Sequence, residues 1–403
     1  MRSADRTGGR RLIDLDVIVI GAGAAGLMCA ATAGYRGRRV RVLDHANMAG
    51  KKILMSGGGR CNFTNLNSTP ANFLSANPHF CISALRRYTP QHFLELVDRH
   101  AVAWCEKAPG QLFCVDSSRE ILDLLLRECE WAGAEVSLKT SIEQIVPAQG
   151  GWQLRTSAGL MRAESVVIAS GGLSIPTLGA TGFGYDVARQ FGMTVLPTRA
   201  ALVPFTLQPA QKERLAPLSG LSAEVAVHCR GGYFREPMLI THRGLSGPAM
   251  LQISSYWQPG DELDIDLLPD GNCEPELRQL RDRQPNARPE TWLANKLPKR
   301  FAQLLCEQHG WQDTWQRFDN TRLAALADSL HHWRVKPSGT EGYRTAEVTL
   351  GGIDTAQVSS KTMMANDHQG LFFIGEILDV TGHLGGHNFQ WAWSSGWCAG
   401  QYV

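Results

Sequence analysis

The sequence predicts an α/β fold in which one parallel-sheet domain is split and carries two inserts. Three observations predict it. The β-branched run Val17 to Ile20 reads as a fully buried parallel strand and opens directly into Gly21-x-Gly23-x-x-Gly26 and a helix. The buried-strand pattern returns far down the chain at Leu371-Phe-Phe-Ile-Gly-Glu376. Between the two, the chain changes character twice, to turn-rich alternation over 200–268 and to a helical pattern over 274–331. The split domain is drawn over residues 13–195 and 336–403, with a β insert over 196–270 and a helical insert over 271–335.

Each element follows in order. Gly21 allows a tight turn, Gly23 lets a pyrophosphate approach the backbone, and Gly26 lets the helix pack close to the strand. Ala24 to Ala33 is Ala-rich, and the helix N-terminus, with Ala24 and Ala25, offers free N–H groups to phosphates. Arg39 to Leu43 is the second strand, ended by Asp44 at the distance where an acid binds a ribose hydroxyl. Next come Lys51, Lys52, Gly57, Gly58, Gly59, Arg60, Cys61 and Asn62. Consecutive glycines beside cations fit a backbone that closely approaches an anion or a flat ring; the alternative is a flexible surface loop. Residues 77–132 read mostly as helix, with Ser117 and Glu120 as a capping box. Strands follow at Glu135 to Leu138, Gly151 to Thr156 and Ser165 to Ala169, the last leading into Ser170-Gly171-Gly172, small residues that leave room for a cofactor. Insert strands are expected at Val203 to Leu207, Glu224 to His228 and Glu262 to Leu267. The helical insert holds Arg278, Arg281, Arg283, Arg288, Lys296, Lys299 and Arg300, which on charge alone is a solvated helix face. After Glu376 come Asp379, then Gly385-Gly386 opening a last helix through Asn388 and Phe389 to about Gly400.

Bulk properties narrow the function classes. The 403 residues are 43% hydrophobic and 19% charged, with a net charge of +2, which argues neither for nor against nucleic acid. Ten cysteines occur without a C-x-x-C pair, so reduced cytoplasmic thiols are expected rather than disulfides or a zinc site. No apolar run reaches membrane-spanning length, and residues 1–12 form a basic extension without the apolar segment of a signal peptide. A monomer is the default expectation.

The split points to FAD. A chain using NAD alone needs no second anchor at its far end, whereas FAD is longer and is gripped twice. The first turn takes the pyrophosphate. A late strand ending in Gly375-Glu376, with Asp379 nearby, takes the ribityl chain. The helix opened by Gly385-Gly386 presents its N-terminus to the flavin pyrimidine, where it favours the anionic reduced ring. No second G-x-G-x-x-G occurs, so NAD(P)H reducing the flavin visits the substrate's face and leaves first, a ping-pong scheme.

Four motifs carry a resemblance: Gly-Ala-Gly-Ala-Ala-Gly-Leu-Met, Lys-Ile-Leu-Met-Ser-Gly-Gly-Gly-Arg-Cys-Asn-Phe-Thr-Asn, Thr-His-Arg-Gly-Leu-Ser-Gly-Pro and Gly-Glu-Ile-Leu-Asp-Val-Thr-Gly. Over about residues 14–403 the chain resembles the BaiN/RdsA family of FAD-dependent oxidoreductases, which includes the YhiN proteins. The resemblance implies a glutathione-reductase-like FAD domain, a β-barrel insert similar to barrels in translation factors, and a small helical insert. It implies flavin hydride transfer to an activated C=C bond, with substrates among unsaturated steroid-like acids or uridine of large-subunit rRNA, giving dihydrouridine. One position departs: the family's Gly-Gly-Tyr-Asn is Gly-Gly-His387-Asn388 here.

The expected cofactor contacts are Gly21, Gly23, Ala24, Ala25, Gly26, Asp44, Lys52, Gly58, Gly59, Arg60, Asn62, Ala169, Ser170, Gly171, Gly375, Glu376, Asp379, Gly385, Gly386, Asn388 and Phe389. The catalytic candidates are Cys61, His242, Arg243 and His387. Cys61 is a candidate acid for the carbon beside the hydride acceptor, or a small packing residue. His242 either closes over the flavin or hydrogen-bonds within the insert, and Arg243 suits a phosphate or carboxylate. His387, Phe389 and Trp391 are candidates to hold an unstacked base. His383 and His387 straddle Gly385-Gly386, which breaks any helix between them, so no metal site is expected. Dihydrouridine formation in large-subunit rRNA is the leading expectation. The alternatives are a small-molecule enone reductase and an FAD-holding module that docks on ribosomes.

Overall fold

A computed structural model of the chain describes residues 13–403, so the extension expected at residues 1–12 lies outside the described residues. It resolves into two compact units, one made of the residues through Arg199 with Val348–Val403, the other of Ala200–Glu347.

In the first unit, the strand Ile13–Ile20 is central because Val17, Ile18 and Val19 are apolar on both faces and completely buried. It runs parallel to Val40–Leu43 on one side, Val19 opposite Val42, and to Gly159–Ile168 on the other, Ile18 opposite Val166. Glu135–Ser137 extends the sheet beyond Val40–Leu43. The long strand Gly159–Ile168 shares its other edge. Its first half pairs antiparallel with Gly151–Thr156, and its last residues, Val166 to Ile168, pair parallel with Leu371–Phe373. The late apolar run thus completes the sheet begun at the N-terminus. The helix Ala24–Tyr35 is buried from Ala25 to Gly34, and the last helix, His387–Gly400, packs on it. That contact is close: a Cβ on Gly396 would lie 2.4 Å from the Ala25 carbonyl oxygen. Each fully buried aliphatic side chain in this core contributes roughly 1.5–3 kcal/mol.

Residues 77–132 differ from the helical expectation. Ile82–Arg87, Pro90–Arg99 and Arg119–Trp131 are helices, but Trp104–Ala108 and Gln111–Cys114 are strands, in a small antiparallel sheet with Asn62–Asn65. Gly110, at φ +81°, turns the hairpin, and Leu112 and Cys114 alternate inward. The Ser117 and Glu120 signal does start a helix: Glu120 accepts from Ser117 N (3.3 Å), and Ser117 Oγ accepts from Arg119 N (3.2 Å).

The second unit is a seven-stranded antiparallel sheet with helices against it. Its order is Trp333–Val335, Leu263–Asp266, Ser222–Cys229, Gly232–Ile240, Gly244–Ser246, Phe205–Leu207 and Pro337–Thr340. The two edge strands are joined by Lys336 alone, so the sheet must curl until its edges approach, which is barrel-like. The strand Pro337–Thr340 keeps the chain in this unit until Glu347, past the return drawn at 336. Pro-Ser-Gly-Thr has neither a β-branched run nor apolar alternation, so nothing in it announces a strand. The helices Glu274–Arg283, Lys299–His309 and Asn320–His331 share one core with the sheet, with Phe205, Ile265, Phe301, Trp315 and Leu326 packed together. Among the described residues, no helix is long and apolar enough to cross a membrane.

Candidate active site

The glycines of the first turn divide by what surrounds them. Gly21 has φ +115°, and a Cβ there would lie 2.4 Å from the Ala169 carbonyl oxygen. A Cβ on Gly26 would lie 2.0 Å from the Gly21 carbonyl oxygen. Both are required by the protein's own packing. At Gly23 a Cβ would meet nothing within 4 Å, and φ −92°, ψ −170° is open to any residue. No side chain caps the helix at Gly23, so its first-turn N–H groups face outward with the positive end of the helix dipole. Ala24 is part-exposed, whereas Ala25 is buried and contributes packing. Asp44 fixes the turn: Oδ2 accepts from Ala22 N and Oδ1 from Ala46 N, both at 2.8 Å. A carboxylate has about four acceptor positions, so Asp44 can still take a hydroxyl.

The second glycine run is also open. Gly57, Gly58 and Gly59 have φ +58°, +65° and +84°, and a Cβ on Gly58 or Gly59 would meet nothing within 4 Å. Arg60 beside them is exposed. Cys61 then turns inward. It has φ +44° and is 0% exposed, and burial drives its thiol far above the usual cysteine range. The thiol packs in the core, which fits the second of the two readings of Cys61, a small packing residue. With its amide oriented to satisfy its neighbours, Asn62 donates to the Leu112 and Thr64 carbonyls (3.1 Å each) and accepts from Gly386 N (3.2 Å). Asn62 therefore ties the glycine run to the start of the last helix.

A polar network joins four segments beside these turns. Lys52 Nζ lies 2.6 Å from Glu376 Oε2 and 2.6 Å from Ser174 Oγ. Glu376 Oε1 accepts from Thr349 N (2.9 Å) and Ser174 Oγ (3.1 Å). Gly375 is buried, with φ +74°, and its N–H donates to Ser395 Oγ (3.0 Å). At the end of Gly159–Ile168, Ala169 lies against the first turn and Gly171 is open, with φ +70°. Ser170 Oγ is buried without a hydrogen-bond partner.

The start of the last helix is held tightly. A Cβ on Gly385 would lie 2.9 Å from Gln111 Nε2, and one on Gly386 2.6 Å from the Thr64 carbonyl. His387 is 5% exposed and shares a 2.7 Å hydrogen bond through Nδ1 with Ser68 Oγ. Burial, with His383 adding to it, lowers its pKa to about 4, so the ring is neutral at neutral pH. His387 therefore sits at the helix start as a buried, neutral ring. Asn388 closes the loop before it, accepting from Gly382 N and donating to the Gly382 carbonyl, both at 2.8 Å. Asp379 is 5% exposed, and its Oδ2 accepts from Ala76 N (2.7 Å). Of the candidates to hold a base, Trp391 is buried, with Nε1 donating to the Gly375 carbonyl (3.0 Å). Phe389 stays part-exposed, stacked on Trp393 at 5.5 Å.

His242 and Arg243 belong to the second unit. They form the turn between Gly232–Ile240 and Gly244–Ser246, closed by Thr241 N donating to the Gly244 carbonyl (2.8 Å). His242 is exposed at the tip. Arg243 is paired with Glu341 at 2.7 Å. In the helical segment, Arg278 pairs with Glu274, Lys296 with Glu276, and Arg300 donates to the Pro217 carbonyl, whereas Arg283, Arg288 and Lys299 are exposed. Sequence reasoning missed Gln111, Ser174 and Thr349. None sits in a motif, and each reaches the site through long-range pairing.

The model of the HI0933-like protein Rossmann domain family matches residues 15–402. A relative from Escherichia coli (strain K12), named ribosomal RNA dihydrouridine synthase, is 52% identical over 96% of this chain and 97% of its own length. A second, the 3-dehydro-bile acid delta(4,6)-reductase of Clostridium scindens, is 28% identical over 95% of this chain and 97% of its own. Among solved structures, a 3-ketosteroid-delta4-(5alpha)-dehydrogenase from Rhodococcus jostii RHA1 is similar with a TM-score of 0.50 and 17% identity, covering 99% of this chain and 100% of that one, a likeness of fold.

Proposed function

We propose that this chain, which belongs to the HI0933-like Rossmann family, is an FAD-dependent oxidoreductase that reduces a uridine of large-subunit rRNA to dihydrouridine. The observation that carries this reading is the full-length, 52% identical relative named ribosomal RNA dihydrouridine synthase. The residues present fit the cofactor. Gly23, Gly58, Gly59 and Gly171 all leave their Cβ positions open, and the helix at Gly23 has no side-chain cap.

In this reading the first-turn N–H groups take the pyrophosphate, and Asp44 takes a ribose hydroxyl. The Lys52–Glu376 pair orders the chain where the ribityl group would run. The N-terminus of His387–Gly400 supplies positive potential with no ionised side chain, since His387 is neutral. When bound, the flavin supplies a hydride to one carbon of the uracil C=C bond. The other carbon takes a proton, for which water is the proposed source, since the Cys61 thiol is buried. NAD(P)H is the proposed reductant.

The test uses purified protein with FAD, NAD(P)H and unmodified large-subunit rRNA transcript, with dihydrouridine mapped along the RNA. Dihydrouridine at a defined position supports the reading. Its absence there, and unchanged dihydrouridine in the rRNA of a deletion strain, would overturn it. The bile-acid reductase relative favours one second reading, reduction of a small-molecule enone, which that outcome would promote.

A further inference from the structure

The first unit carries a surface cluster that reduction chemistry does not use. Tyr35 ends the helix Ala24–Tyr35 and is 55% exposed, and Trp131 ends Arg119–Trp131 and is 59% exposed. Water-facing rings of this size are ordinarily mobile, but these two are held by one carboxylate. Glu128 is 4% exposed. Its Oε2 accepts from Tyr35 Oη (2.9 Å) and from Arg99 Nη2 (2.8 Å), and its Oε1 lies 2.6 Å from His100 Nε2. The His100 ring in turn stacks against Trp131, with centroids 5.1 Å apart and planes 22° apart. Tyr35, carboxylate, imidazole and Trp131 thus form one pre-ordered row.

Cations border the row. Arg99 keeps 59% of its side chain exposed while bound to Glu128. Arg127 is exposed four residues before Trp131, on the same helix face. Arg36 follows Tyr35 and is anchored on the Gly400 and Val403 carbonyls. Glu128 is fully engaged by its donors; the exposed acids near the arginines are Glu130, Glu95 and Asp98, and Asp123 four residues before Arg127. Exposed aromatic faces interleaved with guanidinium groups match unpaired nucleotides, whose bases stack and whose phosphates pair with arginine. The helix Ala24–Tyr35 separates Tyr35 from the glycine turn by about 18 Å, at roughly 1.5 Å per residue.

We propose that Trp131 and Tyr35 form a stacking platform for an unpaired nucleotide of the RNA substrate, remote from the reacting base, with Arg99 and Arg127 facing its phosphates. This rests on the rRNA reading above. The test uses the full-length holoenzyme with two probes: a fluorescein-labelled 12-nucleotide single-stranded RNA, and unmodified large-subunit rRNA transcript. Trp131→Ala should weaken probe binding and raise KM for the transcript by at least about fivefold, the low end for loss of one base–aromatic stack. Its kcat and FAD content should hold, and Trp131→Phe should recover most of the binding. Wild-type affinity and KM in Trp131→Ala would overturn the platform. If wild type makes no dihydrouridine but binds the short RNA through Trp131, the substrate reading fails and the platform stands. If Trp131→Ala and Trp131→Phe lose binding equally, with folding intact, stacking is refuted.

Discussion

Two single-methyl substitutions separate ligand space from packing space in the first turn. At Gly23 an added Cβ meets no protein atom within 4 Å, and the backbone is in an ordinary extended conformation. Gly23→Ala should therefore change the stability of the ligand-free protein by no more than about 1 kcal/mol in either direction. The same methyl stands where a pyrophosphate would approach the backbone, so it should break N–H contacts to a charged acceptor worth about 1.5–3 kcal/mol each. Losing two of them weakens FAD binding by at least about a hundredfold. Gly26→Ala makes the opposite case. Its Cβ would lie 2.0 Å from the Gly21 carbonyl oxygen, so helix and strand must part by about 1 Å, at an overpacking cost of about 1–3 kcal/mol or more. The assays are thermal unfolding of flavin-free protein and fluorescence titration with FAD. Wild-type FAD affinity in Gly23→Ala would refute the assignment of that space to the cofactor. Wild-type stability in Gly26→Ala would refute the close-packing argument.

Lys52→Met removes one side of the 2.6 Å pair with Glu376; it should lower FAD affinity about tenfold in titration, and an unchanged affinity would show that the pair only braces the fold. Cys61→Ala should leave dihydrouridine formation within about twofold while lowering stability by about 1 kcal/mol, because the thiol is fully buried; loss of turnover with FAD retained would restore Cys61 as the acid. For Glu128, burial raises the carboxyl pKa, but hydrogen bonds from His100 and Tyr35 and the Arg99 charge outweigh it, and the net shift is downward. A depressed folded pKa means the stabilisation is present above the unfolded value of about 4.3 and is lost as pH falls through the folded value. Glu128→Gln should thus flatten the acid limb of a stability-versus-pH curve measured by denaturant unfolding; an unchanged acid limb would mean other carboxylates govern it.

What was legible followed from local chemistry. The run Val17 to Ile20, the glycine spacing and Leu371 to Phe373 each announce a buried strand or a tight turn within a few residues, and the sheet joins them. The hairpin Trp104–Cys114 was not legible, because its strands are short and its pattern resolves only against Asn62–Asn65. Pro337–Thr340 failed for the same reason: a strand with no apolar alternation is specified by its partner, Phe205–Leu207.

Side-chain direction is the harder quantity. Cys61 and His387 look reactive in sequence because their types are reactive, yet one left-handed backbone conformation and one helix start turn both into the core. The open glycines show the converse. Gly26 and Gly23 are identical letters three residues apart, one facing a carbonyl at 2.0 Å and the other open space. Glu376 was recognisable as an acid after a late strand, but its partners come from Lys52, Ser174 and Thr349, three separate segments. A residue type names the chemistry a position can do. Whether the position does it depends on backbone angles and distant neighbours that assemble only when the split sheet closes, which is why the cofactor class was readable from two motifs while the proton donor was not.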